Sequence, residues 1–181
     1  MENSPHLEAF KEKGYEVLYM VDPVDEMLVQ WLPDHEGKKL KSIAKGVAEV
    51  GRETDLKEKE REFAKLTEAL QQKLDDRVKE VRLSTRLVSS PACLVVSEHD
   101  VSPNLEKLLG QMKGDTTKQK RIMELNPNHE IIAKMRDRID DAMLEDIAEV
   151  LYGYALLAEG SELANPLKFN EAVMRVLAKT V

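Results

Sequence analysis

The sequence holds a single cysteine, Cys93, so no intrachain disulfide can form and a reducing compartment, by default the cytoplasm, is expected. An excess of basic residues is also missing. The net charge is -7, and no basic stripe with interleaved aromatics occurs, which excludes a surface built to neutralise phosphates, so no nucleic-acid partner is expected. No apolar run approaches the roughly 20 residues that cross a bilayer. Met1-Glu2-Asn3-Ser4-Pro5 is polar and acidic, unlike a signal peptide, so no membrane partner is expected either. What remains is a chain of 181 residues, 42% hydrophobic and 34% charged. That length is enough for a real core, as one domain or as a small subdomain beside a larger one.

Asn3 and Ser4 are capping residues and Pro5 suits a first helical position, so residues 6–13 read as a short helix stopped at Gly14. Tyr15-Glu16-Val17-Leu18-Tyr19-Met20 reads as a strand. Asp22-Pro23 breaks the chain, residues 24–32 repeat apolar positions at helical spacing, and a turn at 34–37 leads to a short extended stretch at 40–44. This order predicts a small α/β unit. Residues 52–77 contain no Gly or Pro, and Leu56, Phe63, Leu66, Leu70 and Leu74 fall near one face of a long helix. The same pattern fits a solvated linker helix. Residues 78–83, 92–96 and 121–125 read as three strands, and Ser102-Pro103 starts a helix reaching about Met112. Asn128 caps a helix to Arg138, Asp140 or Asp141 opens another to Glu159, and Asn165-Pro166 opens the last.

The last two helices carry most of the functional signal. Met143, Leu144, Ile147, Leu151, Tyr154, Ala155 and Ala158 form one apolar face, widened by Val150, Leu156 and Leu157. Phe169, Ala172, Val173, Val176 and Leu177 form the other. Two such hairpins related by a two-fold axis make a four-helix bundle. Two helices covering the chain's own sheet fit the same periodicity.

No catalytic or metal-binding residues are expected. Gly37-Lys38 lacks the glycines and the following Ser or Thr of a phosphate loop. Glu98-His99-Asp100 alternates between opposite faces of an extended chain, and His129 would have to approach from elsewhere. Cys93 lies in an apolar run and reads as a buried, inert thiol. His6 and His35 have no triad companions, and the carboxylates are scattered.

Several segments, in order, resemble one family. They are Asn3-Ser4-Pro5-His6-Leu7-Glu8 with Gly14-Tyr15-Glu16-Val17-Leu18, Asp22-Pro23-Val24-Asp25-Glu26, and Gly37-Lys38-Lys39-Leu40 through Lys45-Gly46. Val81-Arg82-Leu83, Arg86-Leu87-Val88-Ser89-Ser90-Pro91-Ala92-Cys93, Met123-Glu124-Leu125-Asn126-Pro127-Asn128-His129 and Leu156-Leu157-Ala158-Glu159-Gly160 follow. Together they resemble the heat-shock-protein-90 chaperones, in their bacterial form, over nearly the whole chain.

The resemblance implies an α+β fold with two parts. Residues 1–47 would be a small α/β subdomain ending the middle domain. Residues 48–181 would be the C-terminal dimerisation domain, with a linking helix at 52–77, a short, mainly three-stranded sheet, and dimerisation helices at about 140–181. It implies a piece without the ATP- and magnesium-binding N-terminal domain: no cofactor of its own and no enzyme activity, in a parent that is an ATPase chaperone. It implies a homodimer through Met143, Leu144, Ile147, Leu151, Tyr154, Ala155, Ala158, Phe169, Val173, Val176 and Leu177. Non-native client proteins would bind at Glu26, Met27 and Trp31 and on the helix presenting Val101, Leu105, Leu108, Leu109 and Met112. The chain ends Ala178-Lys179-Thr180-Val181 without the acidic tail of eukaryotic members, so docking of repeat-domain co-chaperones is not expected. The alternative is a dimeric α/β scaffold or adaptor that binds no unfolded protein.

Overall fold

The computed structural model describes residues 4–22, 24–32, 34–48, 50, 53–102, 105–106, 119–137 and 142–180, without the side chains of residues 26, 30, 53–55 and 180. Ser4 stands at the N-cap of a 3-10 turn, Pro5–Leu7, with Pro5 at its first position, and α1 follows at Glu8–Glu12. Gly14, at φ +69°, ends it. The strand expected at 15–20 does not form: these residues have no regular secondary structure, and Leu18 is 75% exposed. A β-propensity run becomes a strand only where an edge receives its N–H and C=O groups. Helix α2, Asp25–Trp31, precedes a two-residue hairpin, β1 (Asp34–His35) with β2 (Lys38–Lys39), turned through Glu36 and Gly37 at φ 51° and 76°. The expected 40–44 extension forms no strand: Lys45, just beyond it, makes an isolated parallel bridge with Val96, whose N–H donates to Ala44 O at 3.1 Å.

The larger part is built on a mixed sheet of three strands, β3 (Val78–Leu83), β4 (Ala92–Val95) and β5 (Arg121–Leu125). Strand β5 is central, parallel to β3 and antiparallel to β4. Alternation sends Val81, Leu83, Leu94, Met123 and Leu125 to one face and Arg82, Cys93, Val95, Ile122 and Glu124 to the other.

The first face carries the main core. Helix α3, Glu53–Lys73, lies against it through Phe63, Leu66 and Leu70, with Leu74 just beyond its end. Leu66, Leu70 and Leu74 have no solvent exposure, so the solvated-linker alternative for this helix is excluded. Helix α4, Glu130–Arg136, adds Ile132 and Met135. Its N-cap is His129 rather than Asn128, the ring Nδ1 accepting the Ile131 N–H at 3.2 Å. Helix α5, Leu144–Glu159, contributes Leu144, Ala148, Leu151 and Ala155 and stops at Gly160, φ 81°. Helix α6, Pro166–Thr180, begins where Asn165 Oδ1 accepts the Lys168 N–H at 3.0 Å. The protein is thus a mixed α+β fold, with two- and three-stranded sheets and six α-helices among the described residues. The expected opening at Asp140 or Asp141 lies outside the described residues.

Because Leu70 has no exposure and sits between helix and sheet, Leu70→Ala is expected to cost about 2–5 kcal/mol, the range for emptying a closed core site. Urea unfolding of the two proteins checks this. A loss well under 1 kcal/mol would mean that α3 does not pack on the sheet.

Candidate functional site

Three surfaces hold the residues with functional signal: the helical hairpin, the junction behind the sheet, and an apolar strip near the amino terminus.

In the hairpin, α5 is two-sided. Its inner stripe, Leu144, Ala148, Leu151 and Ala155, belongs to the sheet core. Helix α6 lies close on α5 because Gly153 has no side chain: a Cβ there would stand 2.3 Å from Phe169 Cδ2. Ala172, 1% exposed, continues this contact. Charges clip the pair together. Arg175 donates to both oxygens of Asp146 at 2.9 and 2.7 Å, and Glu149 accepts from Lys168 and Arg77, each at 2.9 Å. The Arg77 guanidinium also stacks 4.9 Å over the Tyr152 ring. Burial raises the Glu149 pKa, but the hydrogen bonds from Lys168 and Arg77 outweigh it and hold the carboxyl below its usual range.

The expected pairing residues therefore divide. Met143, Leu144, Leu151 and Ala155 are buried within the protomer itself. Ile147, Ala158, Phe169, Val173 and Val176 are half-buried, while Tyr154 and Leu177 are 36% and 49% exposed. Leu157, Leu167 and Met174 are also exposed, at 52%, 75% and 64%. Sequence reasoning missed Leu167 and Met174 because the denser stripe through Phe169, Ala172, Val173 and Val176 drew the assignment. The signal was there: Leu167, Met174 and Leu177 step by seven and three, as along a coiled-coil seam.

Behind the sheet lies a buried charge cluster. Glu124, 2% exposed, accepts from Arg82 Nη2 at 2.8 Å, Arg86 Nε at 2.8 Å and the Ser84 hydroxyl at 2.8 Å. The remaining guanidinium protons turn toward the amino-terminal part: Arg82 and Arg86 both donate to Gly46 O, and Arg86 also donates to Ile43 O. Thr85 adds a bond to Ala48 O at 2.7 Å. His6 lies against this cluster with Nδ1 lacking a partner, and burial followed by the Arg86 charge lowers its pKa from 6.5 to about 4. Cys93 is buried, and burial together with the Glu124 charge pushes its thiol far above the ordinary range.

This geometry explains the Glu124-Leu125-Asn126-Pro127-Asn128-His129 run. Glu124 organises the arginines, and Leu125 enters the core. Asn126, with no exposure, donates through Nδ2 to Val88 O and Ser90 O, and His129 caps α4. These are positioning duties that bring the 43–48 and 84–91 segments together.

The apolar strip runs through 18–32. Met27 and Trp31 are 58% and 82% exposed, beside exposed Val24, Leu28 and Leu32. Glu26 lies on α2, its side chain outside the described residues. On the other expected client element, Val101 and Leu105 are half-buried, and Leu105 N–H bonds to the Ser102 hydroxyl at 3.1 Å. Leu108, Leu109 and Met112 lie outside the described residues. Among the described residues, no three His, Cys, Asp or Glu side chains group to hold a metal ion, and no helix is long and apolar enough to cross a membrane.

Comparison with known proteins matches residues 1–181 to the model of the family described as Hsp90 protein. The chaperone protein HtpG of Mycobacterium tuberculosis strain H37Rv is 48% identical over 189 residues, covering 98% of this chain and 29% of the relative. Those of Frankia casuarinae and Rhodococcus jostii are 47% and 45% identical over 192 residues, covering all of this chain. The chain spans 30% of the length of each of these two relatives.

The His6 environment generates a pH prediction. Its folded pKa of about 4 lies below the unfolded 6.5, so between those values the unfolded chain binds the extra proton. The His6 contribution is whole above pH 6.5 and is lost as pH falls toward 4, amounting to roughly 3 kcal/mol. Urea midpoints measured across that window should fall less steeply in His6→Gln than in the wild type. Parallel slopes would contradict the buried, neutral imidazole.

Proposed function

The chain belongs to the Hsp90 protein family, and from that premise we propose that it is the pairing and client-binding portion of an ATP-dependent chaperone of the cytoplasm. The observation that carries this reading is the exposure of Leu157, Leu167 and Met174 on the two helices of a hairpin whose Asp146–Arg175 pair is satisfied within the protomer. Burying a leucine or methionine contributes about 1.5–3 kcal/mol. A symmetric contact counts each residue twice, so a handful suffices against an association cost of roughly 4–15 kcal/mol. The boundary between the middle-domain remnant and the dimerisation domain falls near residue 47, beside the carbonyls of Gly46 and Ala48 that Arg82, Arg86 and Thr85 hold.

Client binding is assigned to the strip containing Met27 and Trp31, with the element that begins at Val101 and Leu105. An apolar patch standing in water marks an interaction surface. Methionine and leucine can repack against partners of varied shape. Nucleotide hydrolysis belongs to the parts of the relatives that this chain does not span. Pairing here raises the effective concentration of those parts for one another.

Two measurements test the reading. The chain is expected to sediment at twice the mass of one protomer. Leu167→Glu combined with Met174→Glu should return a folded monomer, since both positions are exposed in the protomer. A wild type that is monomeric at high concentration would remove the pairing model. For the client surface, Trp31 is the sole tryptophan, so its emission reports its own surroundings. A destabilised, tryptophan-free client should shift that emission to the blue, and Met27→Ser should weaken the titration. No shift, together with no suppression of client aggregation, would favour a scaffold that binds no unfolded protein.

A further inference from the structure

Among the polar contacts that hold the amino-terminal segment to the sheet, two assemblies are of opposite character. In the first, Arg86 and Glu124 are almost wholly buried, so opening that contact would strand charge away from water. The second is Glu8, half-buried on α1. Its carboxylate accepts the N–H groups of Val88 at 2.6 Å, Ser89 at 2.8 Å and Ser90 at 3.1 Å, and the hydroxyls of Ser89 at 3.0 Å and Ser90 at 2.5 Å. Successive backbone N–H groups of this kind form an anion-holding nest. The nest lies on a loop outside the sheet, with Val88 46% exposed. Water can take over its donors when Glu8 leaves. Such a contact is strong when made and cheap to open.

Apolar support beside it, among the described residues, comes from Ala9, Ala48 and Val50, flanked by Phe10, with Leu7 also buried. Burial raises the Glu8 pKa, but the Ser90 hydroxyl and the three N–H groups outweigh it and hold the carboxyl below its usual range.

The Ser90 hydroxyl makes one further bond among the described residues. Its single proton goes to Glu8, so toward Tyr154 it can only accept, and the Tyr154 hydroxyl stands 3.2 Å from Ser90 Oγ. The polarity therefore runs from Tyr154 through Ser90 to Glu8, each bond strengthening the next. Tyr154 is on α5, three residues before exposed Leu157.

We propose that Glu8 and the 88–90 loop form a releasable clasp, and that Ser90 couples this clasp to Tyr154, so that docking of the amino-terminal segment and the setting of α5 respond to each other. Any such coupling is reciprocal. It rests on the proposed function only in treating α5 as part of a pairing surface.

The test compares wild type, Glu8→Gln, Tyr154→Phe and the double variant by amide hydrogen exchange at Val88, Ser89 and Ser90. Glu8→Gln keeps the size of the side chain and removes its charge. Exchange should speed up roughly ten- to hundred-fold, the scale of a charge-assisted hydrogen bond. Tyr154→Phe touches none of these amides, yet it should speed their exchange in the wild-type background and leave it unchanged once Glu8→Gln is present. Equal acceleration in both backgrounds overturns the coupling, and unchanged exchange in Glu8→Gln overturns the clasp. Should Glu8→Gln fail to fold, Ser90→Ala takes its place, with Tyr154→Phe then adding nothing to it. An additive effect there is equally fatal. The readout lies inside one protomer, so a chain that proves monomeric would sink the pairing model and leave this comparison intact.

Discussion

A carboxylate on the hidden face of a central strand sets terms for everything around it. Glu124 is 2% exposed, and two guanidiniums and a hydroxyl surround its carboxylate, as a buried acidic group requires. Two arginines carry more protons than one carboxylate can accept, so the surplus must find carbonyl oxygens. Those of Ile43 and Gly46 supply them, which fixes the path of the 43–48 segment across the back of the sheet. The cluster keeps a net positive charge, and His6 beside it stays neutral for that reason as well as through burial. Replacing such a cluster with apolar side chains can leave stability unchanged, whereas removing one member costs about 3–5 kcal/mol. Its contribution is to geometry: it dictates where the amino-terminal part docks.

The front of the sheet follows the opposite rule. Leucine, methionine and valine meet α3, α4 and α5 without buried charge in the cluster, and the sheet is insulated from water on that side. Helix α5 thus spends its inner stripe within the protomer. What it can offer to others lies on its outer side, and α6, held by Phe169 over Gly153, extends that outer side.

Much of this was legible from sequence. The three strands stand out because β-branched and apolar residues cluster between turn formers, and α3 because four hydrophobic residues recur at helical spacing with no helix breaker between them. Three things were not legible. The run at 15–20 has the composition of a strand, but strand formation depends on a partner edge that local sequence does not describe. Periodicity in α5 and α6 marks an apolar stripe without saying which neighbour covers it, so Leu144, Leu151 and Ala155 could not be told from residues facing another chain. The duties of Glu124 and Asn126 were hidden for a related reason. Their partners lie 38 to 42 positions away for the arginines and 36 to 38 for the carbonyls of Ser90 and Val88.

Charge placement on the hairpin bears on what its outer side can do. Asp146 holds Arg175 through two bonds, and Glu149 holds Lys168 and Arg77, so these ions are satisfied between elements of one protomer. A surface that covers Leu157, Leu167 and Met174 need not strip water from those charges without compensation, and desolvation is the term that most often cancels the gain from apolar contact. Had Asp146 or Glu149 faced outward unpaired, the same leucines would have been poor material for an interface. The internal ion pairs therefore do two things at once. They lock α6 onto α5, and they meet these charges within the protomer.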